Sequence, residues 1–299
     1  MLGRLHQSRG DYARASEYLV EALRRSREGE NGEQLLPRLR AVAHLHRLRK
    51  EYDMAIAFYN EILEICTTLG DKRGRADTFW ALADVHRLRD EHSDAIRSYS
   101  EALQIRTDLD DKKGRADAFW ALAEVHRLQD EHSDAIRFYS EALKIRTNLG
   151  DRRGRGDALW ALADMHRLQG EHFEAIRFYS KALRVRTDFG DRRGRAEALW
   201  ALAGVHRLQQ EYTEAISLYS KALKIRTDLN DRRGRAKALL GLADVYRDRG
   251  EWEEATRFYS EALEIHTALG DNKGRVDALL GLAGVKGNRR EDDGEAAPL

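Results

Sequence analysis

The stretch "GDRRGRGDALWALADMHRLQGEHFEAIRFYSKAL", residues 150–183, decides the fold, because versions of it recur every 40 residues along the chain. Each step is marked by a glycine that an arginine follows, at Gly74, Gly114, Gly154, Gly194, Gly234 and Gly274. The same register extends upstream through alanines and leucines that begin with Ala15 and Leu23. A repeat of this length is one supersecondary unit, so nearly the whole chain is predicted to be an elongated repeat array.

Composition limits the classes of function. Hydrophobic residues make up 42% and charged residues 34% of the chain, against roughly 45–50% and about 25% in compact domains, which favours a thin structure with much surface. With 52 Lys and Arg against 51 Asp and Glu, net charge gives no reason to expect nucleic acid or an anionic membrane. Cys66 is the only cysteine, and no apolar run approaches the roughly 20 residues of a membrane span. We therefore expect a soluble cytoplasmic protein that has no membrane partner.

Each copy contains two patterns of helical spacing. The first consists of Ala158, Leu159, Leu162, Ala163 and His166, and the second of Ala175, Ile176, Tyr179, Ala182 and Leu183. These patterns predict two antiparallel amphipathic helices near 152–168 and 171–188. Gly150 suits the left-handed residue after a helix, and Asp151 suits an N-cap. The two prolines, Pro37 and Pro298, are expected outside the helices.

The apolar residues of both helices resemble the signature of the tetratricopeptide repeat (TPR) family, which has a large apolar residue, a Leu-Gly or Leu-Ala pair and an Ala-Tyr-Ala series. The matching positions in one copy are Leu159, Leu162, Ala163, Gly170, Ala175, Tyr179 and Ala182. Thr187 stands where the family usually has proline, and 40 residues exceed the usual 34, so both helices are expected to be about a turn longer. The start of the quoted copy, "GDRRGRGDALWALA" at residues 150–163, is similar to the long repeats of Pins-type spindle-orientation adaptors and of sensor arrays in signal-transducing NTPases.

This resemblance implies an all-α, right-handed superhelical solenoid of stacked antiparallel helix pairs, which binds a peptide or domain in its concave groove. We expect about seven helix pairs over residues 1–285, with partial first and last units. The polar residues 286–299 are expected to form a disordered tail. Because the last helix lacks a following partner, Leu279, Leu280, Leu282 and Val285 are expected to be partly uncovered.

The first helix of each repeat lines the groove in this family, and the corresponding positions here are Asp157, Trp160, Asp164 and Arg167. Their spacing of three, four and three residues puts them on one helical stripe. Three rows follow from the period. The tryptophan row is Trp80, Trp120, Trp160 and Trp200; the acidic row is Asp84, Glu124, Asp164 and Asp244; and the arginine row is Arg87, Arg127, Arg167, Arg207 and Arg247.

Two interpretations of the tryptophan row stay open at this stage. Tryptophan and arginine dominate interface hot spots, so the row suits a platform for the apolar side chains of a peptide. The indoles could instead pack against neighbouring repeats, because residues 114–147 nearly duplicate 74–107 and copying alone would multiply them. The carboxylate clamp of chaperone-binding relatives is disfavoured, since tryptophan replaces its lysine.

The leading hypothesis is a non-catalytic scaffold or adaptor for a protein or peptide partner. The alternatives are a ligand-sensing array related to a signalling NTPase and, third, a single-stranded nucleic-acid binder that uses the arginine-rich helix starts. The recurring histidines lack the spacing of a zinc site, and no glycine loop of a nucleotide site is present. We therefore predict no catalytic residue, cofactor or metal, and treat Cys66 as an isolated substitution.

Overall fold

The computed structural model describes residues 32–292, and each element within that range is an α-helix. The helices are α1 (Gly32–Leu48), α2 (Tyr52–Thr68), α3 (Lys72–Leu88), α4 (His92–Asp108), α5 (Lys112–Leu128), α6 (His132–Asn148), α7 (Arg152–Leu168), α8 (His172–Asp188), α9 (Arg192–Leu208), α10 (Tyr212–Asp228), α11 (Arg232–Asp248), α12 (Trp252–Ala268) and α13 (Asn272–Asp292). All but the last have 17 residues. The prediction of helix pairs is confirmed, and the second helix of the quoted copy begins one residue later than expected.

The helices fall into two compact units that divide between Leu149 and Gly150. Unit 1 contains α1–α6 and unit 2 contains α7–α13. Within each unit, every odd-numbered helix packs against the even-numbered helix that follows it, and each pair packs on the next. The fold is therefore an all-α stack of antiparallel helix pairs. That the two units continue as one array stays a prediction.

Local hydrogen bonds end one helix and start the next. In the turn after α3, Asp90 adopts a left-handed φ of 59°, and the Glu91 N–H donates to the His86 carbonyl at 2.9 Å, as in a Schellman motif. At the start of α5, the Asp111 carboxylate accepts from the Gly114 N–H at 2.9 Å. The same aspartate cap begins the later odd-numbered helices, so the predicted N-cap role is confirmed.

The core of each pair alternates small and large side chains. In unit 2, Ala163 and Ala175 are fully buried and allow close approach of the helices, while Tyr179 and Leu202 fill the space beside them. In unit 1, Ala95 and Tyr99 take the corresponding places. Close packing of this kind makes each odd-numbered helix depend on the even-numbered helix of its own repeat.

The recurring glycine marks a close approach between helices. A Cβ atom at Gly114 would lie 2.6 Å from Cδ of Arg106 on α4, and at Gly194 it would lie 2.8 Å from Cδ of Arg186 on α8. Both distances are shorter than van der Waals contact allows, so a larger residue at this third position of the helix would displace the arginine side chain.

Three details correct the sequence-based expectations. Pro37 is the sixth residue of α1, where it removes one intrahelical hydrogen bond. The predicted boundary at residue 285 falls inside α13, so residues 286–292 are helical. Val285 is buried against α12, whereas Leu280 is 66% exposed, as expected. The predicted partial first unit, before residue 32, and residues 293–299 lie outside the described range.

Removing one aspartate cap should weaken the stack measurably. Asp191→Ala deletes the acceptor of the Gly194 N–H, which lies 2.9 Å from the carboxylate, and loss of an N-cap costs about 1 kcal/mol. We expect urea denaturation of the full chain, followed by circular dichroism, to show this decrease in the free energy of unfolding. Asp188→Ala, at the exposed end of α8, serves as the control. Equal midpoints for the two variants would contradict the assigned cap.

Candidate functional site

The predicted acidic and arginine rows pair with each other along the odd-numbered helices. Three pairs join residues three apart on one helix, at 2.6 Å for Arg87 and Asp84, 2.8 Å for Arg127 and Glu124, and 2.6 Å for Arg167 and Asp164. Hydrogen bonding to Asp84 raises the pKa of the Arg87 guanidinium. The two rows therefore neutralise each other and present little net charge to a ligand.

Two further contacts connect neighbouring repeats within a unit. In unit 1, Arg47 on α1 reaches Asp84 on α3 at 2.5 Å. In unit 2, Gly204 replaces the acidic residue of α9, and Arg207 extends instead to Asp244 on α11 at 2.9 Å. Arg247 also lies 3.5 Å from Asp244. The charged rows therefore contribute to the stacking of repeats as well as to the surface.

The tyrosines of the even-numbered helices complete these ion pairs, a role that the sequence analysis missed. The hydroxyl of Tyr179 donates to Asp164 at 3.3 Å, that of Tyr259 donates to Asp244 at 2.5 Å, and that of Tyr139 donates to Glu124. Burial, together with the neighbouring carboxylate, raises the pKa of each of these phenols. Their position at the core was predictable from helical spacing, but the direction of the hydroxyl depends on the packing of two helices.

In unit 1 the indoles are enclosed by their own repeat. Trp80 meets the edge of Tyr99 with ring centroids 5.0 Å apart, and the guanidinium of Arg106 lies 4.8 Å from its centroid. Trp120 repeats the arrangement with a tyrosine at 4.9 Å and Arg146 at 4.6 Å. These arginines, at the ends of α4 and α6, were not predicted as site residues. Each indole of unit 1 is thus half-buried between a phenol edge and a cation.

In unit 2 the indoles lie further from the tyrosine of their own repeat, although Trp160 still packs against the core. Trp160 lies 6.2 Å and Trp200 lies 6.4 Å from the tyrosine of its own repeat. The Trp200 indole is 42% exposed and donates its N–H to the Lys237 carbonyl at 3.2 Å. A pocket of about 280 Å³ opens between the two indoles. The tryptophan row therefore consists of two enclosed and two pocket-lining members.

An exposed leucine row continues the same stripe and was also missed. Leu88, Leu128, Leu168 and Leu208 each follow the acidic position by four residues, near the end of an odd-numbered helix, and all are more than two fifths exposed. The signal was present in the sequence, as an apolar residue that recurs on a charged stripe. We call the combined tryptophan, acidic, arginine and leucine rows of α3–α11 the tryptophan face, and consider it within each unit separately.

The recurring histidines fasten the turn between two helices of a pair. Nδ1 of His126 lies 2.6 Å from a carboxylate oxygen of Glu131, and its ring stacks on Phe138 at 5.1 Å. His126, Glu131 and Asp134 bring potential metal ligands within 4.8 Å of one another, but Asp134 pairs with Arg137 at 2.9 Å. Internal contacts already engage all three groups. The contacts of His126 with Glu131 and Phe138 therefore explain why a histidine recurs beside this turn.

Family models for the tetratricopeptide repeat match residues 35–108, 74–148, 154–228 and 234–299, and a second such model matches residues 1–29. A search of the curated proteins finds no match to the chain. In the part of the chain that the structure describes, no helix is long and apolar enough to cross a membrane.

Several solved structures share the fold at low sequence identity. BtubC (BKLC) from P. vanneervenii is 20% identical with a TM-score of 0.64, over 74% of this chain and 92% of that one. A signal transduction ATPase with numerous domains and a tetratricopeptide sensor, from Pyrococcus horikoshii, is 16% identical with a TM-score of 0.70, over 94% of this chain and 49% of that one. A Rap protein complexed with competence and sporulation factor is 16% identical with a TM-score of 0.52, over 91% of this chain and 80% of that one. With the family models matched along the helix pairs, this chain belongs to the tetratricopeptide repeat family.

Proposed function

We propose that the chain is a non-catalytic scaffold that binds a peptide segment or protein domain on the tryptophan face. The observation that carries this proposal is the regular exposure of apolar side chains beside charges that are already paired. Leu128 in unit 1 and Leu208 in unit 2 are exposed at equivalent places, and Trp200 adds a half-exposed indole. Large apolar side chains in regular array are typical of interaction surfaces.

The comparisons and the chemistry of the core support this proposal. A Rap protein of the same fold has been solved in complex with competence and sporulation factor, which favours a protein or peptide partner here. Burial, and the nearby Asp71, raise the pKa of the Cys66 thiol, which disfavours the thiolate that a nucleophile needs. The single unpaired cysteine also favours a reducing, cytoplasmic location.

The test replaces exposed leucines on the tryptophan face without disturbing the core. We expect Leu128→Glu with Leu208→Glu to reduce capture of specific proteins in a lysate pull-down by about tenfold, because each introduced carboxylate must be desolvated on binding. Leu69→Glu with Leu149→Glu is the matched control, since both leucines are exposed in connections between repeats. Circular dichroism verifies that both variants fold. Equal capture by the two variants would place the interaction on another surface.

A ligand-sensing array of a signalling NTPase is the second candidate. It is favoured by the Pyrococcus horikoshii ATPase, whose matching part covers 94% of this chain. The genomic sequence that surrounds the coding region tests it, because this candidate requires a nucleotide-binding domain in the same protein. Binding of single-stranded nucleic acid is the third, and would be recognised by a steep loss of affinity with salt.

A further inference from the structure

We propose that the pocket between Trp160 and Trp200 binds one aromatic side chain of a peptide that carries a carboxylate beside that side chain. This inference rests on the proposed function and specifies its ligand. It assigns recognition of the aromatic side chain to unit 2 and leaves the two tryptophans of unit 1 a structural role, while the exposed leucines of both units remain part of the binding surface.

Four helices of unit 2 form the pocket. The indole of Trp160 comes from α7 and that of Trp200 from α9, while Ala222 on α10 and Gly234 and Ala238 on α11 line it with small groups. The volume of about 280 Å³ lies just below the roughly 300–1,000 Å³ of pockets for drug-sized ligands. A space of this size, between two indoles, suits a single ring that can stack on them or meet their edges.

The Trp200 side of the pocket lacks the arginine cover that the indoles of unit 1 have, although Arg226 still lines the pocket. Arg146 lies 4.6 Å from the ring centroid of Trp120, whereas its counterpart Arg226 donates to Asp231 at 2.6 Å. The hydrogen bond from the Trp200 indole to the Lys237 carbonyl also holds that ring towards α11. These two contacts accompany the 42% exposure of Trp200, whereas the equivalent indole of unit 1 lies against its own cation.

The charges around the pocket favour an acidic ligand. Glu197 lies 3.6 Å from Arg186 and 3.5 Å from Arg226. These arginines also pair with Asp157 and Asp231. Both arginines are therefore already paired, and it is the remaining lining cation that favours an acidic ligand. Lys237 is exposed and lines the pocket, and its ammonium contacts no carboxylate among residues 34–288. An aspartate, a glutamate or a C-terminal carboxylate next to the bound ring would pair with the Lys237 ammonium.

A phage-displayed library of random peptides, selected on the full chain, tests the ligand chemistry directly. We expect the selected peptides to share an aromatic residue with an acidic residue beside it. Synthetic copies should shift the indole N–H resonances of Trp160 and Trp200 in NMR spectra, and leave those of Trp80 and Trp120 unchanged. Copies that end in an amide or in a free carboxylate distinguish a side-chain anion from a C-terminal one.

Three variants separate the pocket from general loss of folding. Trp200→Ala should lower peptide affinity by about tenfold or more, whereas Trp120→Ala, checked for folding, should change it by less than about twofold. Lys237→Glu, at an exposed position, should weaken acidic peptides about tenfold and favour peptides in which lysine replaces the acid.

The possible outcomes bear differently on the two proposals. Selected peptides that lack the aromatic residue, or that shift only the indoles of unit 1, would overturn this inference and leave the scaffold function intact. Acidic peptides that bind Lys237→Glu as tightly as they bind wild type would overturn the proposal that the ligand carries a carboxylate beside its aromatic side chain. If no peptide is enriched and the leucine variants also capture the same proteins as wild type, binding on the tryptophan face fails together with this inference.

Discussion

Gly241→Leu is expected to lower the free energy of unfolding by about 3 kcal/mol, at the upper end of overpacking effects. Gly241 on α11 faces the ring of Tyr219 on α10, and a Cβ atom there would lie 2.5 Å from Cε1 of that ring. Tyr219 is only 4% exposed and belongs to the core of unit 2, so any movement of its ring disturbs that core. The added side chain must therefore separate two helices or break the packing between repeats.

Gly284→Leu is the matched control for this substitution. Gly284 also lies inside a helix, α13, but a Cβ atom there would meet no other atom within 4 Å. Leucine is the better helix former by about 1 kcal/mol, so this variant should be unchanged or slightly more stable. Urea denaturation of both variants, followed by circular dichroism, measures the difference. Equal stability of the two would contradict the close contact between Gly241 and Tyr219.

The protein is expected to lose stability steeply as the pH rises from 10 to 12. Burial raises the pKa of Tyr219 to about 12, and burial also raises the pKa values of Tyr99 and Tyr179. In the unfolded chain these phenols lose their protons near pH 10, while the folded chain keeps them protonated. The unfolded state therefore binds fewer protons in this range, and stability, fully present below pH 10, declines towards the folded pKa.

The expected contribution of one phenol is considerable. For Tyr219, the shift of the pKa from about 10 to about 12 corresponds to a loss of roughly 2 kcal/mol of stability by pH 12. Tyr99 and Tyr179 act in the same direction. Circular dichroism should detect unfolding together with the rise of tyrosinate absorbance. Tyr219→Phe removes one titrating group and should move the midpoint to higher pH. The chain has 11 tyrosines, and a tyrosinate signal that reaches its full amplitude near pH 10 while the helices stay intact would contradict the burial of these hydroxyls.

Much of the fold was predictable because the signals that define it are local. The glycine-arginine step, the aspartate caps and two patterns of helical spacing recur in every copy, and each acts within one or two helical turns. The bounds of α7 were therefore predicted to the residue. Pro37 and residues 286–292 were expected outside helices because proline and a run of polar residues are each unfavourable signals for a helix, yet both lie within helices.

The site was less predictable, because its contacts join residues from different helices. The acidic and arginine rows were identified from the period, but the sequence did not indicate that Asp164 would be engaged by both Arg167 and Tyr179. The leucine row could have been found, since an apolar residue that recurs on a polar stripe has no core to fill. The role of the arginines at the ends of α4 and α6 could not have been predicted, because the indoles that they contact lie in another helix.

The sequence by itself determined the repeat, the lengths and caps of the helices and the pairing of each helix with the next, since these depend on short-range propensity and on apolar spacing. Only the tertiary structure decided which tryptophans are covered. Trp120 and Trp200 occupy equivalent places in nearly equal local sequences, yet one lies under Arg146 and the other bonds to the Lys237 carbonyl. A guanidinium at the end of a helix can reach an indole or a nearby carboxylate, and the choice depends on the packing of neighbouring helices.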